Sequence, residues 1–303
     1  MKRRGEKLDG FLVLDKPLGM TSTQALGRAR RALGAAKAGH CGTLDPLASG
    51  VLVLAFGEAT KLVDHVMDGA KSYRFGIGWG ETRSTDDAEG EVTATSPHRP
   101  ARAAIEAVLG SFLGETLQIP PAYSAIKQDG RPAYARARSG EEFTLPPRRI
   151  RIDSLDLLEM PSADRAVFEA VCGKGTYIRS LGRDIAQRLG SLGFIDELRR
   201  LRVGSFTLAQ AISLAKLEGP GYTPRAHLQP VETALDDIPA LAMTGAEAEP
   251  LRQGRAVQLP RAASHLSALP PDRRIAVLAD DRLIAMARID NGQVKPLRVL
   301  NRS

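Results

Sequence analysis

The chain has 303 residues, 43% of them hydrophobic and 25% charged, which is ordinary for a soluble globular protein. This length is sufficient for one large domain and one small domain. No apolar run is long enough for a membrane span, and no apolar signal core follows the basic start, so we expect neither. The two cysteines, Cys41 and Cys172, make no disulfide framework, which fits a reducing cytoplasm.

The net charge of +7 favours an anionic partner. Residues 1–40 hold nine basic and three acidic residues, and residues 124–151 and 173–202 each hold seven basic and three acidic. Residues 41–120 hold six basic and eleven acidic residues. Such blocks are expected if they line one face for a phosphate backbone, although arginines scattered over a solvated surface would give the same counts.

The first elements lead to a single carboxylate. Residues 10–14 predict a strand, and Thr21 or Ser22 can cap the helix that follows. Asp45 then lies in a turn-like segment rich in glycine and proline, directly before the apolar residues 51–55, which predict a buried strand. Such a loop can present a catalytic acid rigidly. An Asp before Pro is also ordinary turn chemistry, and the spacing alone favours that interpretation.

A second strand follows a short helix predicted for residues 59–67. Residues 71–80 alternate apolar and polar side chains and predict a strand, in which Tyr73 would by itself be a core aromatic. The acidic segment 84–91 predicts a turn. Its carboxylates could bind a metal, but no histidine or further carboxylate cluster supports that interpretation.

The middle of the chain combines basic and aromatic residues. Residues 100–113 predict a helix, and the stiff basic segment 119–132 suits a loop that contacts substrate. Strands are predicted at 150–160 and 166–171. A glycine-rich loop then leads into a helix over 177–189, with Arg179 in its first turn. This loop lacks the spacing of a nucleotide-triphosphate site.

A linker-like break at residues 219–224 and a change of composition after residue 235 predict a second, small module. Its apolar segments suggest a β-rich structure. We therefore expect two domains, residues 1–235 and residues 236–303.

The residues exclude several chemistries and leave one possibility. No metal-ligand spacing, serine nucleophile elbow or second acid paired with Asp45 is present, which argues against hydrolases and glycosidases. An unpaired Asp can act as a nucleophile or base if an arginine orients it and keeps it ionised. An aromatic side chain among basic contacts suits chemistry on a nucleotide removed from its stack. Cofactor-free RNA base chemistry is thus possible, but spacing does not name the reaction.

Five ordered motifs do resemble a known family. The segments are DKPLGMTS at 15–22, GHCGTLDPLASGVL at 39–52, KSY at 71–73, PPAYSAIK at 120–127 and GTYIRSL at 175–181. Together they closely resemble the bacterial tRNA pseudouridine-55 synthase (TruB) family over roughly residues 10–210. The tail from about residue 240 resembles, more weakly, the PUA-like RNA-binding module of that family. Cys41 and Ser49 stand where many members carry Thr.

The resemblance implies isomerisation of a uridine in the tRNA T-loop, with no cofactor and no metal. Asp45 matches the catalytic aspartate, which would attack the base or the ribose, and Arg179 matches the arginine that pairs with it. Tyr73 matches the tyrosine that stacks on the target base and can take the proton from carbon 5. The resemblance also implies RNA-binding positions, namely His40, which fills the space of the flipped nucleotide, and Lys16, Tyr177 and Leu198, which line the pocket. Lys127 is a further RNA-binding candidate and lies on a basic segment with Tyr134, although such a segment can also be simply solvated.

The expected fold class is mixed α/β (α+β), with a largely antiparallel central sheet and a small β-rich PUA-like domain. The expected partner is the T-arm of tRNA, without a membrane, and the expected state is a cytoplasmic monomer. Two alternatives stay open. One is a non-catalytic tRNA-binding or tRNA-folding protein, and the other is a guide-RNA-dependent pseudouridine synthase subunit.

Overall fold

The computed structural model describes residues 5–128, 130–220, 224–236, 238–270 and 273–302. Part of the predicted linker at 219–224 lies outside these ranges. The strands are β1 (Gly10–Lys16), β2 (Ala38–His40), β3 (Ala48–Phe56), β4 (Lys71–Trp79), β5 (Glu81–Arg83), β6 (Val92–Thr95), β7 (Gly114–Gln118), β8 (Lys127–Gln128), β9 (Arg131–Pro132), β10 (Arg148–Ser162), β11 (Arg165–Cys172), β12 (Gly193–Val203), β13 (Phe206–Thr207), β14 (Ile212–Ser213), β15 (Ala240–Met243), β16 (Val257–Gln258), β17 (Arg274–Ala279), β18 (Arg282–Asp290) and β19 (Gln293–Val299). The α-helices are α1 (Ser22–Ala32), α2 (Val63–Asp68), α3 (Arg102–Leu109), α4 (Ala133–Arg138), α5 (Ile178–Arg188), α6 (Leu214–Leu217) and α7 (Gly245–Arg252).

One large sheet forms the centre of the molecule. Its strands follow the order β14-β1-β3-β12-β4-β11-β10-β7, with β2 added on β3 and β13 on β12. The pairs β1–β14 and β3–β12 are parallel, and the remaining pairs of this sheet are antiparallel. The prediction of a mixed α/β fold with a largely antiparallel central sheet is confirmed.

Strand β3 separates two hydrophobic cores. Leu52 and Leu54 point into a core that contains side chains of α1 and α5, and Val51 and Val53 point into a second core on the opposite face. Alternate side chains of a strand lie on opposite faces, so a strand covered on both sides needs a continuous apolar run. This explains the uninterrupted apolar sequence that follows Asp45.

Helices α1 and α5 cover the face that carries the predicted site. Thr21 caps helix α1. Its hydroxyl accepts from the Gln24 backbone amide, and the Gln24 side-chain oxygen accepts from the Thr21 backbone amide. Helix α5 begins after Tyr177 and buries Leu181 and Ile185 against the sheet. The helix predicted for 100–113 is shorter, because α3 ends at Leu109 and a single 3₁₀ turn at Gly110–Phe112 replaces its last turn. None of the helices in the described residues is long and apolar enough to cross a bilayer.

The C-terminal part forms a five-stranded sheet in the order β15-β17-β18-β19-β16. This confirms the predicted small β-rich module, whereas the boundary at residue 235 stays a prediction. The second core joins the module to the central sheet, since Ala276, Leu283 and Met286 belong to the same buried cluster as Phe11 and Val53.

Candidate active site

The loop that carries Asp45 connects β2 to β3 and is anchored to α1 and its preceding turn. The Ser22 hydroxyl accepts from the Leu44 amide at 2.8 Å and donates to the Leu44 carbonyl at 3.0 Å. The Gly19 amide donates to the Pro46 carbonyl at 2.9 Å. The residues on either side of Asp45, Leu44 and Pro46, are therefore both anchored by hydrogen bonds.

Glycine is required where the loop enters β3. Gly50 has a φ of +99°, a region that other residues rarely adopt. A Cβ atom at this position would overlap the backbone carbonyl of Arg200 on the neighbouring strand β12. The glycine-rich sequence thus specifies close backbone packing here.

Asp45 forms an ion pair with Arg179 from the first turn of α5. The Arg179 Nη2 atom lies 2.9 Å from the Asp45 Oδ2 atom. The carboxylate side chain is 38% exposed, whereas the guanidinium side chain is 5% exposed. Arg179 also donates to the backbone carbonyls of Thr85 and Tyr123, each at 3.0 Å. The arginine is fixed within the protein and presents the acid to solvent.

A second carboxylate, Asp87, approaches the same guanidinium. Its Oδ2 atom lies 3.5 Å from the Nη1 atom of Arg179, and the residue is 2% exposed. The Thr85 hydroxyl and the Glu89 amide both donate to its Oδ1 atom. Sequence reasoning treated this acidic segment as a plain turn and missed Asp87. Several acids share this turn, and only the fold brings Asp87 next to Arg179 of α5.

Tyr73 lies on β4 directly opposite Arg200 of β12. Its side chain is half-buried and packs against the first core. Burial raises the pKa of the phenol, and the nearby positive charge of Arg200 opposes that shift. The phenol is therefore protonated at neutral pH in the free protein.

Lys16 ends β1 with a side chain that is fully buried. Its ammonium donates to the carbonyls of Pro17 at 2.9 Å and Met20 at 2.7 Å. Burial lowers the pKa of Lys16 to about 8, and the negative charge of Asp45 opposes this shift. The charges of Lys16 and Asp45 therefore interact.

Three further predicted residues border this cluster. His40 is partly buried at the end of β2, where burial lowers its pKa and the charge of Arg200 lowers it further. Tyr177 precedes α5, and the Gln118 side chain holds both its amide at 2.9 Å and its carbonyl at 3.1 Å. Leu198 is buried on β12 opposite Phe75.

Lys127 is not brought into the cluster. It lies on β8 with an exposed side chain, ahead of the basic helix α4, which also carries the exposed Tyr134. Within the described ranges it has no hydrogen bond or ion pair to the residues around Asp45. Its placement fits a peripheral contact, while the RNA-binding role stays a prediction.

Sequence reasoning also missed Arg200, which it counted only as part of a basic block. Its guanidinium is 2% exposed and donates to the carbonyls of Val51 at 2.8 Å and of Thr43 and Gly42, each at 3.3 Å. Nothing in the sequence distinguishes it from Arg199 beside it, because both stand in the same basic run and only strand pairing assigns them to opposite faces.

A cavity of about 450 Å³ lies elsewhere, between β7, β10 and α5. Its lining includes Gln118, Leu181 and Arg188 but none of the predicted site residues. The convergence of acidic and basic side chains around Asp45 is chemically more specific than this cavity. Among the described residues, no group of three or more His, Cys, Asp or Glu side chains is arranged to hold a metal ion.

Comparison with known proteins identifies the same family as the motifs. The N-terminal domain model of the TruB family pseudouridylate synthases matches residues 30–178, and the C-terminal domain model of tRNA pseudouridylate synthase B matches residues 179–236. The chain is 51% identical to the tRNA pseudouridine synthase B of Caulobacter vibrioides, covering 98% of each chain. It is 49% identical to the protein of the same name from Rhodospirillum rubrum, covering 99% of each.

Solved structures show the same fold at greater distance. A chain of a Cbf5-Nop10-Gar1 complex aligns over 96% of this chain and 84% of its own, with a TM-score of 0.74 and 24% identity. A chain of an H/ACA RNP bound to a substrate RNA containing 2'-deoxyuridine aligns over 97% and 85%, with a TM-score of 0.73 and 22% identity.

Proposed function

Since the chain belongs to the TruB family of pseudouridylate synthases, we propose that it converts the T-loop uridine at position 55 of tRNA to pseudouridine, with Asp45 as the nucleophile. The observation that carries this proposal is the ion pair of Asp45 and Arg179. An exposed carboxylate is held by an arginine that is itself buried. Such a pair orients the carboxylate toward an arriving substrate.

The reaction is an isomerisation, so its atoms balance without a co-reactant. The glycosidic bond between C1′ and N1 breaks, a bond between C1′ and C5 forms, and the C5 proton is replaced in net terms by a proton on N1. Asp45 would attack either the base or the ribose to make this exchange possible. Tyr73 would stack on the base and take the proton from C5.

The uridine must leave its stack to react with Asp45, because an enzyme that acts on a base cannot reach the target atoms while the base is stacked. We propose that His40 fills the space that the nucleotide leaves and that Lys16, Tyr177 and Leu198 border the pocket. The basic segment around Lys127 and Tyr134 would contact the backbone of the T-arm.

We further propose that a cytoplasmic monomer acts without a guide RNA, metal or cofactor. Residues 1–235 would carry the chemistry and residues 236–303 would add RNA contacts as a PUA-like domain. The separate C-terminal sheet supports this division of roles, and the net charge of +7 suits an RNA partner. The preserved set of Asp45, Arg179 and Tyr73 argues against a purely RNA-binding protein.

The test incubates purified protein with unmodified tRNA transcript and maps pseudouridine by base-specific chemical labelling. We expect product at position 55 without any added RNA, and none with a transcript that carries cytidine there. Product only after a guide RNA is added would establish the guide-dependent alternative. Binding without product under either condition would favour the non-catalytic protein.

A further inference from the structure

Arg200 joins three parts of the candidate site at one buried point. Its guanidinium donates to the carbonyls of Gly42 and Thr43, in the loop that leads to Asp45, and to that of Val51 on β3. Tyr73 on β4 is the cross-strand neighbour of Arg200, so the two side chains lie next to each other on one face of the sheet. The Asp45 loop and Tyr73 are therefore both adjacent to the buried Arg200 side chain.

Arg200 is a buried cation without a carboxylate partner among the described residues, which is unusual. In the part of the chain that the structure describes, no carboxylate lies within ion-pairing distance of it, and its charge is met by carbonyl dipoles alone. Burial of an unpaired guanidinium is costly. A chain that needed only to satisfy three carbonyls could do so at lower cost with neutral donors.

We propose that Arg200 is a positioning residue that holds the Asp45 loop beside Tyr73 and stabilises the Tyr73 phenol as a phenolate. This inference rests on the proposed function. A guanidinium only donates hydrogen bonds, whereas a phenol oxygen can accept two and donates one. A guanidinium beside the phenol oxygen therefore favours the phenolate over the neutral phenol.

Arg200 would act in the step in which Tyr73 removes the proton from C5. To take a proton from C5 of the base, the phenol oxygen must already be deprotonated, and the electron pair of the C5–H bond then remains in the ring. Burial opposes that deprotonation, since it raises the pKa of Tyr73, and Arg200 supplies the cation that offsets burial. The cation acts through Tyr73 and does not need to touch the substrate.

The experiment compares Arg200→Met and Arg200→Lys with Arg199→Met as the matched control. Arg199 stands one residue away on the opposite face of β12, where it pairs with Asp15 at 2.9 Å and bonds the Ser49 hydroxyl at 3.2 Å. Each protein is labelled with fluorotyrosine, whose phenol is more acidic than that of tyrosine. Fluorine NMR follows the titration of residue 73 among the five tyrosines, with Tyr73→Phe to assign the signal.

We expect Arg200→Met to raise the titration midpoint of residue 73 by roughly one to three pH units, the usual effect of losing a nearby opposite charge. The single-turnover rate should fall about 100-fold, as for a misplaced reacting group, with tRNA affinity changed less than about threefold. Arg200→Lys should recover part of the rate because it keeps the cation. Arg199→Met should change neither quantity.

Two results would overturn the inference. A folded Arg200→Met protein with an unmoved midpoint would show that the residue only satisfies carbonyls, whatever its rate. A moved midpoint at an unchanged rate would show that the contact does not serve the reaction. If Arg200→Met does not fold, the same two readouts on Arg200→Gln decide, because glutamine can still donate to the carbonyls but carries no charge.

Failure of the proposed function would look different. It would appear as wild-type protein that forms no pseudouridine, while the fluorine titration still reports whether Arg200 acts on Tyr73.

Discussion

At the scale of single residues, the site depends on charges held in unequal environments. Asp45 is partly exposed, whereas its partner Arg179 and the second acid Asp87 are buried. A buried arginine between two carboxylates can neutralise one acid while it orients the other. The exposed member is the only one of the three that a substrate can reach.

Asp45→Asn should abolish turnover while tRNA binding persists. The amide is nearly the same size as the carboxylate but is a poor nucleophile, so we expect the single-turnover rate to fall by about 10,000-fold or more. Filter binding should give a tRNA dissociation constant within about threefold of the wild type. Asp64→Asn, an exposed acid on α2, is the control. A near-normal rate in Asp45→Asn would exclude this residue as the nucleophile.

Lys16 gives stability a distinctive pH dependence. Its pKa is about 8 in the folded protein, against 10.5 for an unperturbed lysine. Between these values the unfolded chain binds more protons than the folded one, so the contribution of Lys16 to stability rises with pH. The cost of its burial is therefore fully present below pH 8 and lost by about pH 10.5.

Urea unfolding of the wild type and of Lys16→Met at pH 7.5 and pH 10 tests this contribution. Relative to Lys16→Met, the free energy of unfolding of the wild type should be about 1–3 kcal/mol higher at pH 10 than at pH 7.5. The exposed Lys7→Met serves as the control and should show no such shift. A constant difference between wild type and Lys16→Met would contradict the assigned pKa.

At the scale of elements, the site depends on how β3, β12 and α5 meet. Strand β3 runs parallel to β12 for only three residue pairs, Leu198–Ala48, Arg199–Ser49 and Arg200–Gly50. This short contact places the start of β3 against Arg200, and Gly50 permits the approach. The glycines around Asp45 therefore serve a tertiary contact as well as a local turn.

Gly50→Ala should destabilise the protein by about 3 kcal/mol or more, because the new methyl group overlaps the Arg200 backbone in addition to straining φ. Gly114→Ala is the matched control, since it has a similar φ of +82° but open space around it. The control should cost only about 1 kcal/mol. Thermal and urea unfolding measure both. Equal losses in the two variants would show that the backbone contact is unimportant.

At the scale of the whole molecule, the two sheets share a hydrophobic core. Leu283, Met286 and Leu300 of the C-terminal part are almost fully buried in the cluster that contains Val51 and Val53. Covering each large apolar side chain contributes about 1.5–3 kcal/mol. The C-terminal sheet therefore supports the strand that follows Asp45, in addition to any RNA contacts it makes.

Truncation after residue 235 should for this reason reduce stability as well as tRNA affinity. We expect the fragment to aggregate or to unfold at a clearly lower temperature than the full chain, because the second core loses its cover. Differential scanning calorimetry and light scattering measure both properties. A soluble fragment with the melting temperature of the full chain would contradict the shared core and would favour independent domains.

The sequence by itself determined the main elements and the identity of the central acid. Period-two alternation predicted β4, the apolar run predicted β3, and the capping candidates Thr21 and Ser22 predicted the start of α1, since these signals depend on neighbours a few residues apart. The ordered motifs supplied the pairing of Asp45 with Arg179, which are far apart in the chain. The structure places the two side chains in contact.

Only the tertiary structure decided which of many similar residues join that pair. Asp87 is one of several acids in its turn, and Arg200 is one of three arginines within four residues. Their selection depends on strand pairing and on which face of β12 is buried, and burial then gives each charge its effect. Local sequence does not specify which distant residues pack together. Asp87 and Arg200 could therefore be identified only from the arrangement of β3, β4, β12 and α5 around Asp45.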